Sequence, residues 1–377
     1  MLSELRKRKK HQRKLLAKDA FTHSTCPHVV HLIDGEIIDY ISKTLCPDPE
    51  KETAHIVECS AGPGFLTEKL LESGVRHVHV FEHEEMDYLS MLQSLAKQHE
   101  GRVSLHLTSD IAIDFARDLR LGLATIVPEV SDVMAYKSRW RDGLRIKSFL
   151  PVPPFTDKDT VSAAISDLCR RDGMFGCGRM QLLLLLSFHP VVIITADQHS
   201  PYYGFLSIMS QSMFDVEVGQ KVPLHGVIPV IKGKRVTPVD NPLMDMKSLY
   251  VVSMTPKSSL VDDIPVELWG DYRFFVRQAT FRKSGHVIPF FEKYFPGCGI
   301  RLIRSGVPLY SRFSEFDPND FVRVFNECIS WPEYSSSTFK MASSSFADEV
   351  EEEEEEPDRA DEAEGSGGEK LVSDVFA

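Results

Sequence analysis

One short stretch holds five residues whose types and spacing suit a nucleoside. Glu58 ends the apolar run His55-Ile56-Val57-Glu58; Ser60, Gly62 and Gly64 follow in Cys59-Ser60-Ala61-Gly62-Pro63-Gly64. Glu82 closes a second apolar run, Val75 to Phe81. Glycines let the backbone approach a ligand where a Cβ would collide. An acid at the tip of the second strand can accept hydrogen bonds from both ribose hydroxyls. The glycines are spaced GxG, not GxGxxG, and an acid precedes them, which points away from a dinucleotide pyrophosphate. That version suits S-adenosylmethionine, whose cationic methionine end needs no phosphate cradle. A lone GPG is more often an ordinary turn; the two flanking acids are what give it weight. In this reading Glu58, Ser60, Gly62 and Gly64 line the methionine end and Glu82 holds the ribose.

These residues must be positioned by alternating strands and helices. Asp34–Ser42 has apolar residues at helical spacing and leads into the first strand. The pattern then predicts strand 55–59, helix 65–73, strand 76–81, helix 85–99 and strand 103–107. Asp110 falls just past the third strand, where an acid can accept from an adenine amino group; taken alone it reads equally well as a turn acid or helix cap. Residues 111–142 read as irregular. Leu144–Leu150 reads as a strand, Thr156–Arg171 as a helix, Met180–Ser187 as a buried strand, Tyr203–Phe214 as a helix and Ser248–Met254 as a last strand. Alternation of this kind predicts an α/β, Rossmann-like fold with a doubly wound, mostly parallel sheet. Past Pro256 only short helical blocks follow, Tyr272–Arg282, His286–Phe295 and Pro318–Ile329, the last opened by Asp317 as N-cap. The expected organisation is a basic arm (1–18), a doubly wound, Rossmann-like domain (19–256), a small helical lobe (257–335) and a disordered acidic tail (336–377).

The fourth strand is where chemistry on a base amino group would show itself. Such a lone pair is delocalised into the ring. Enzymes that methylate it typically present an Asn or Asp, a proline and an aromatic as [N/D]-x-P-[Y/F], which accept the amino hydrogens and stack on the flipped base. Here the chain reads Ser148-Phe149-Leu150-Pro151-Val152-Pro153-Pro154-Phe155. With Pro151 as the motif proline, Phe149 stands at the Asn position and Val152 at the aromatic. With Pro154, the aromatic is Phe155 but the Asn position is Val152. Neither register has the polar side chain, so no catalytic residue is intact.

Charge is distributed unevenly. The chain of 377 residues has a net charge of −12. Residues 348–377 carry 14 of its acids and only two basic residues, so the remainder is balanced. Met1–Lys18 holds eight Lys/Arg and one Glu, as an organelle import segment or a nucleic-acid arm would. Tyr272–Arg312 holds eight Lys/Arg against one acid. Arg273, Arg277, Arg282, Lys283, Arg301 and Arg304 are its candidate phosphate contacts, which would carry little sequence information. The interleaved aromatics are chiefly core. Seven scattered cysteines, with no CxxC and no zinc-like His/Cys spacing, predict a reducing compartment and no structural metal. His23, His28 and His31 lie close in sequence but lack a completing Cys or acid. The apolar run Leu182–Ala196 is broken by His189-Pro190 and is too short to cross a bilayer, so no membrane partner is expected.

From about residue 30 to 334 the chain resembles the rRNA adenine N6,N6-dimethyltransferases, and within them the mitochondrial transcription factor B proteins. Leu32-Ile33-Asp34 with Ile37-Ile38-Asp39 resembles the family's helix before the first strand. Glu58 through Thr67 resembles its E-x-G-P-G-x-G-x-L-T, with Ser60 for the first glycine and Ala61 for the proline. Tyr203 through Gln211 is similar to its Y-G-x-L-S-x-M-x-Q helix, and Phe290 through Trp331 to its C-terminal lobe. The resemblance implies an S-adenosylmethionine site at Leu32, Glu58, Ser60, Gly62, Gly64, Glu82 and Asp110, inherited and in part vestigial. The family's polar ligand contact before Leu32 is Val30 here. The family divides: most members methylate two adjacent adenines of a small-subunit rRNA hairpin. The second mitochondrial paralogue assists mitochondrial RNA polymerase at promoter DNA and has a degenerate fourth-strand motif. Leu144–Pro151 resembles that degenerate form. The resemblance therefore implies a mitochondrial, monomeric transcription initiation factor. The alternatives are a working rRNA adenine dimethyltransferase and a non-catalytic RNA-binding or ribosome-assembly protein.

Overall fold

The computed structural model describes residues 30–83, 88–108, 123–153, 156–223, 226–228, 248–281 and 285–355. Asp110, Phe155, Arg282, Lys283 and the basic arm lie outside the described residues. Seven strands make one sheet: β1 His55–Cys59, β2 Val78–His83, β3 Val103–Thr108, β4 Ile146–Pro151, β5 Met180–Ser187, β6 Phe214–Pro223 and β7 Ser248–Pro256. Their spatial order is β3-β2-β1-β4-β5-β7-β6. β1 to β5 pair in parallel, and β7 runs antiparallel between β5 and β6. β5 is Met-Gln-Leu-Leu-Leu-Leu-Leu-Ser and almost wholly buried, as a central strand covered on both faces must be.

Helices cover both faces. On one, α1 (Gly35–Leu45) and α2 (Phe65–Glu72) pack Ile37, Ile41, Leu66 and Leu70 against Ile56, Val78 and Val80. The Asp34 carboxylate caps α1 by accepting from the Glu36 and Ile37 amides at 2.9 and 3.2 Å. α3 (Leu89–Gln98) follows β2. On the other face lies α5 (Asp157–Arg170), after α4 (Val133–Arg141). That core runs on without a break through α6 (Phe188–Ile194) and α7 (Phe205–Met213) into the helical lobe. The lobe is built from α8 (Trp269–Phe281), α9 (Val287–Glu292), α10 (Gly299–Arg304) and α11 (Pro318–Ile329). Trp269, Tyr272, Phe275, Phe321 and Phe325 fill its centre, and Asp317 caps α11 as expected. Among the described residues no helix is long and apolar enough to cross a membrane.

Three elements differ from the expectation. β6 was hidden because Asp215, Glu217 and Lys221 give an edge strand a polar face. α4, in the stretch read as irregular, is short and polar; it is capped by Asp132, whose carboxylate accepts from the Ala135 amide at 2.8 Å, and anchored by the buried Tyr136 and Trp140. The acidic tail is not without structure from 336, because α12 spans Thr338–Glu355. Phe339 is buried there, and Phe346 packs on the lobe core.

The N-terminal half of the sheet carries a histidine ladder. His55 Nδ1 lies 3.4 Å from His79 Nε2, and His79 Nδ1 lies 3.3 Å from His106 Nε2. Burial first, and then repulsion led by the neighbouring His77, pushes all three below the free imidazole value of 6.5, His79 to about 4. A base depressed in the folded state takes up protons more readily when unfolded. Its stabilising contribution is therefore complete above pH 6.5 and lost as pH falls from there towards 4. The His79 ring is half-exposed, so screening limits its share to about 1 kcal/mol. Denaturant unfolding at pH 7.5 and pH 5 is expected to show a loss at pH 5 that His79→Gln reduces; an equal loss in the variant would refute the assignment.

Candidate functional site

The strand order reverses at β1, which lies between β2 and β4, and ligands in such sheets bind in the crevice at the carboxyl ends there. The glycine turn occupies that position. Ser60, Gly62 and Gly64 all have positive φ, at 52°, 56° and 80°. Ser60 keeps the left-handed backbone that the first glycine would adopt freely, a conformation uncommon in a side-chain-bearing residue. Gly64 precedes α2, where an added Cβ would lie 2.9 Å from Leu92 Cδ2.

Glu82, at the end of β2, is buried and turned to the glycine turn. The Gly62 amide donates to its Oε2 at 2.7 Å, and the His83 amide to its Oε1 at 3.1 Å. Glu58 and Glu82 are therefore not equivalent. Glu58 is fully buried and accepts from the Thr67 hydroxyl on α2. Burial, opposed by that bond and reinforced by Glu82, pushes the Glu58 carboxyl up to about 8, favouring its protonated form. It ties strand to helix.

His31 completes the turn and was not expected there. It is 1% exposed, and its Nδ1 donates to the Ser60 carbonyl at 2.9 Å. Its ring meets Tyr88 edge-on at 5.3 Å. A Cβ on Gly62 would fall 2.5 Å from His31 Cγ. Gly62→Ala is accordingly expected to cost about 2–4 kcal/mol, from left-handed strain and overpacking. Adding His31→Ala should recover part of that cost, and additive effects in a double-mutant cycle would show the two residues do not touch. Leu32 is buried in the core, paired with Val227 in a two-residue antiparallel bridge.

The end of β4 contributes no polar group. Phe149 is 1% exposed in the core beneath α1 and α2, and Val152 is 2% exposed in the opposite core. Leu150 and Pro151 are also buried, and the Val152 amide pairs with the Leu185 carbonyl at 3.3 Å. Asp157, the nearest acid in sequence, is committed: its Oδ1 accepts from the Lys158 amide at 2.8 Å and its Oδ2 from the Ser187 amide at 3.0 Å.

In the lobe the basic residues sort by partner. Arg301 pairs with Glu333 and lies over Trp331. The Arg273 and Arg277 guanidinium groups each sit 5.4 Å from the Phe346 ring of α12. Arg304 is exposed at the end of α10. Phe281 and Tyr310 are 84% and 78% exposed, aromatics that charge counting alone did not single out.

The sheet order, the single antiparallel strand and the turn define a Rossmann-like methyltransferase fold. No family model matches the chain. It is 22% identical over 349 residues to dimethyladenosine transferase 2, mitochondrial, of Drosophila melanogaster, spanning 75% of this chain and 72% of that one. With the Bos taurus protein of the same name it shares 25% over 285 residues, 72% and 71% of the two chains. A crystal structure of a dimethyladenosine transferase from Plasmodium falciparum superposes with a TM-score of 0.53 at 14% identity, covering 80% of this chain and 97% of that one. The chain thus resembles the proteins named dimethyladenosine transferase 2, mitochondrial, in sequence and shares the fold of a dimethyladenosine transferase.

Proposed function

We propose that the chain is a mitochondrial transcription initiation factor on an rRNA adenine dimethyltransferase fold, assisting mitochondrial RNA polymerase in melting promoter DNA. The observation that carries this reading is the end of β4, where Phe149 and Val152 are core residues and, among the described residues, no polar side chain stands to hold an adenine amino group. The lobe, with Arg304 exposed and Phe281 and Tyr310 free to stack on unpaired bases, supports a single-stranded nucleic acid as ligand. The relatives' names support the mitochondrial location.

S-adenosylmethionine is the cofactor of this fold, and the turn fits it in part. Left-handed Ser60, Gly62 and Gly64 bring backbone to the crevice, Glu82 offers a carboxylate and His31 an unpaired ring nitrogen. When bound, the cofactor would supply an electrophilic methyl group. The residues of this chain would hold it without aligning an adenine to receive the methyl.

The test is promoter-dependent run-off transcription with mitochondrial RNA polymerase, with and without this protein. Dependence on the protein is the expected result. Transcription that proceeds equally without it would remove the reading.

A further inference from the structure

His31 leaves one buried polar atom unexplained. Its Nδ1 faces the Ser60 carbonyl, which can only accept, so Nδ1 carries the proton and Nε2 of the neutral ring presents a lone pair. Nε2 is buried and, among the described residues, has no hydrogen-bond partner. Buried polar atoms in folded proteins are almost always paired, so an orphan beside a crevice marks a place for a ligand donor. The residue before it, Val30, is buried and apolar and has nothing to offer a polar ligand. The ring is also fixed: it rests on Gly62, meets Tyr88 edge-on and is pinned by Ser60. A fixed acceptor costs little ordering entropy when a ligand arrives.

We infer that His31 is a ligand-positioning residue of the crevice, its Nε2 accepting a hydrogen bond from a donor of an adenosyl amino acid bound at the glycine turn. The inference rests on the reading of the turn as a cofactor site. Two donors of such a ligand share the required chemistry, the α-ammonium group and a ribose hydroxyl. Glu82 and His31, which both touch Gly62, would then each offer the ligand an acceptor, a carboxylate oxygen and a ring nitrogen. Phenylalanine at 31 would preserve the ring packing and remove the acceptor; glutamine would restore an acceptor oxygen on a flexible chain.

The full chain would be titrated calorimetrically with S-adenosylhomocysteine and with 5′-methylthioadenosine, which lacks the amino acid end. Wild type is expected to bind S-adenosylhomocysteine, His31→Phe to bind it at least tenfold more weakly, and His31→Gln to stay within about threefold of wild type. A His31→Phe penalty with both ligands assigns the donor to the ribose; a penalty with S-adenosylhomocysteine alone assigns it to the ammonium. Wild-type binding with no penalty in His31→Phe overturns the inference and leaves the cofactor reading standing. No binding by wild type overturns both. A second measurement needs no variant: the His31 Nε2 resonance of 15N-labelled wild type should move on addition of S-adenosylhomocysteine. Its failure to move while the ligand binds also overturns the inference.

Discussion

Phe149→Asn is expected to unfold this protein rather than give it a methyltransferase's reach. The substitution writes the missing polar residue into the fourth-strand motif, and on sequence alone it looks like a repair. Phe149 is 1% exposed and packs in one core with Ile56, Leu183 and Leu185. Truncating a buried Phe costs about 3–5 kcal/mol. An amide left without partners adds about 1–3 kcal/mol. Together these approach the whole stability of an ordinary domain, about 5–15 kcal/mol. The variant should be insoluble, or melt at least ~10 °C below wild type. The wild type should methylate a small-subunit rRNA hairpin poorly. Loss of one preorganised acceptor is worth about 10²–10³ in rate. Efficient dimethylation of that hairpin with labelled S-adenosylmethionine would contradict the proposed function. A folded, active Phe149→Asn protein would show that the core around β4 is looser than its burial implies.

The elements around the crevice were legible in the sequence because each carries its own local signal. β1 and β5 are apolar runs of strand length, and Asp34 and Asp317 are cap residues just ahead of helical patterns. Gly62 and Gly64 announced a turn, and its left-handed backbone is what those glycines permit. Less legible was everything decided by partners distant in the chain. β6 is a strand because β7 offers it an edge, a fact no window of its own residues contains. Glu58 and Glu82 looked alike as strand-end acids, yet one is held by the Thr67 hydroxyl and the other by backbone amides. His31 was set aside as one of three neighbouring histidines without a completing ligand. Its role at the turn depends on a bridge to Ile228, almost 200 positions away in the chain. The absence at β4 was the most legible feature of all, since a missing side chain needs no fold to be seen.

Asp271→Ala should release α12 from the lobe, and this is the larger lesson of the acidic tail. Composition alone made residues 336–377 a tail because serines and glutamates bury little. The helix forms because Asp271 on α8 gathers three donors onto one carboxylate: the Tyr334 hydroxyl at 2.7 Å, the Lys340 ammonium at 2.6 Å and the Ser343 hydroxyl at 2.8 Å. Asp271 is 5% exposed; burial first, and then the Asp271 charge, pushes the Tyr334 phenol upward, keeping it a donor. Removing one member of a fully buried ion pair costs about 3–5 kcal/mol; the Lys340 side chain is about a third exposed, so the cost here falls below that range. Here that cost need not unfold the sheet. α12 is held by Asp271, Phe339 and the Phe346 ring under Arg273 and Arg277, so it can detach alone. Hydrogen exchange of Asp271→Ala should therefore show lost protection at 338–346 with β4 and β5 unchanged. Tyr334→Phe, which removes only one of the three donors, should cost about 1 kcal/mol and leave the helix protected. Loss of protection throughout the sheet would mean that α12 is part of the fold's single cooperative unit. Unchanged protection at 338–346 would mean that Phe339 and Phe346 hold the helix without the carboxylate.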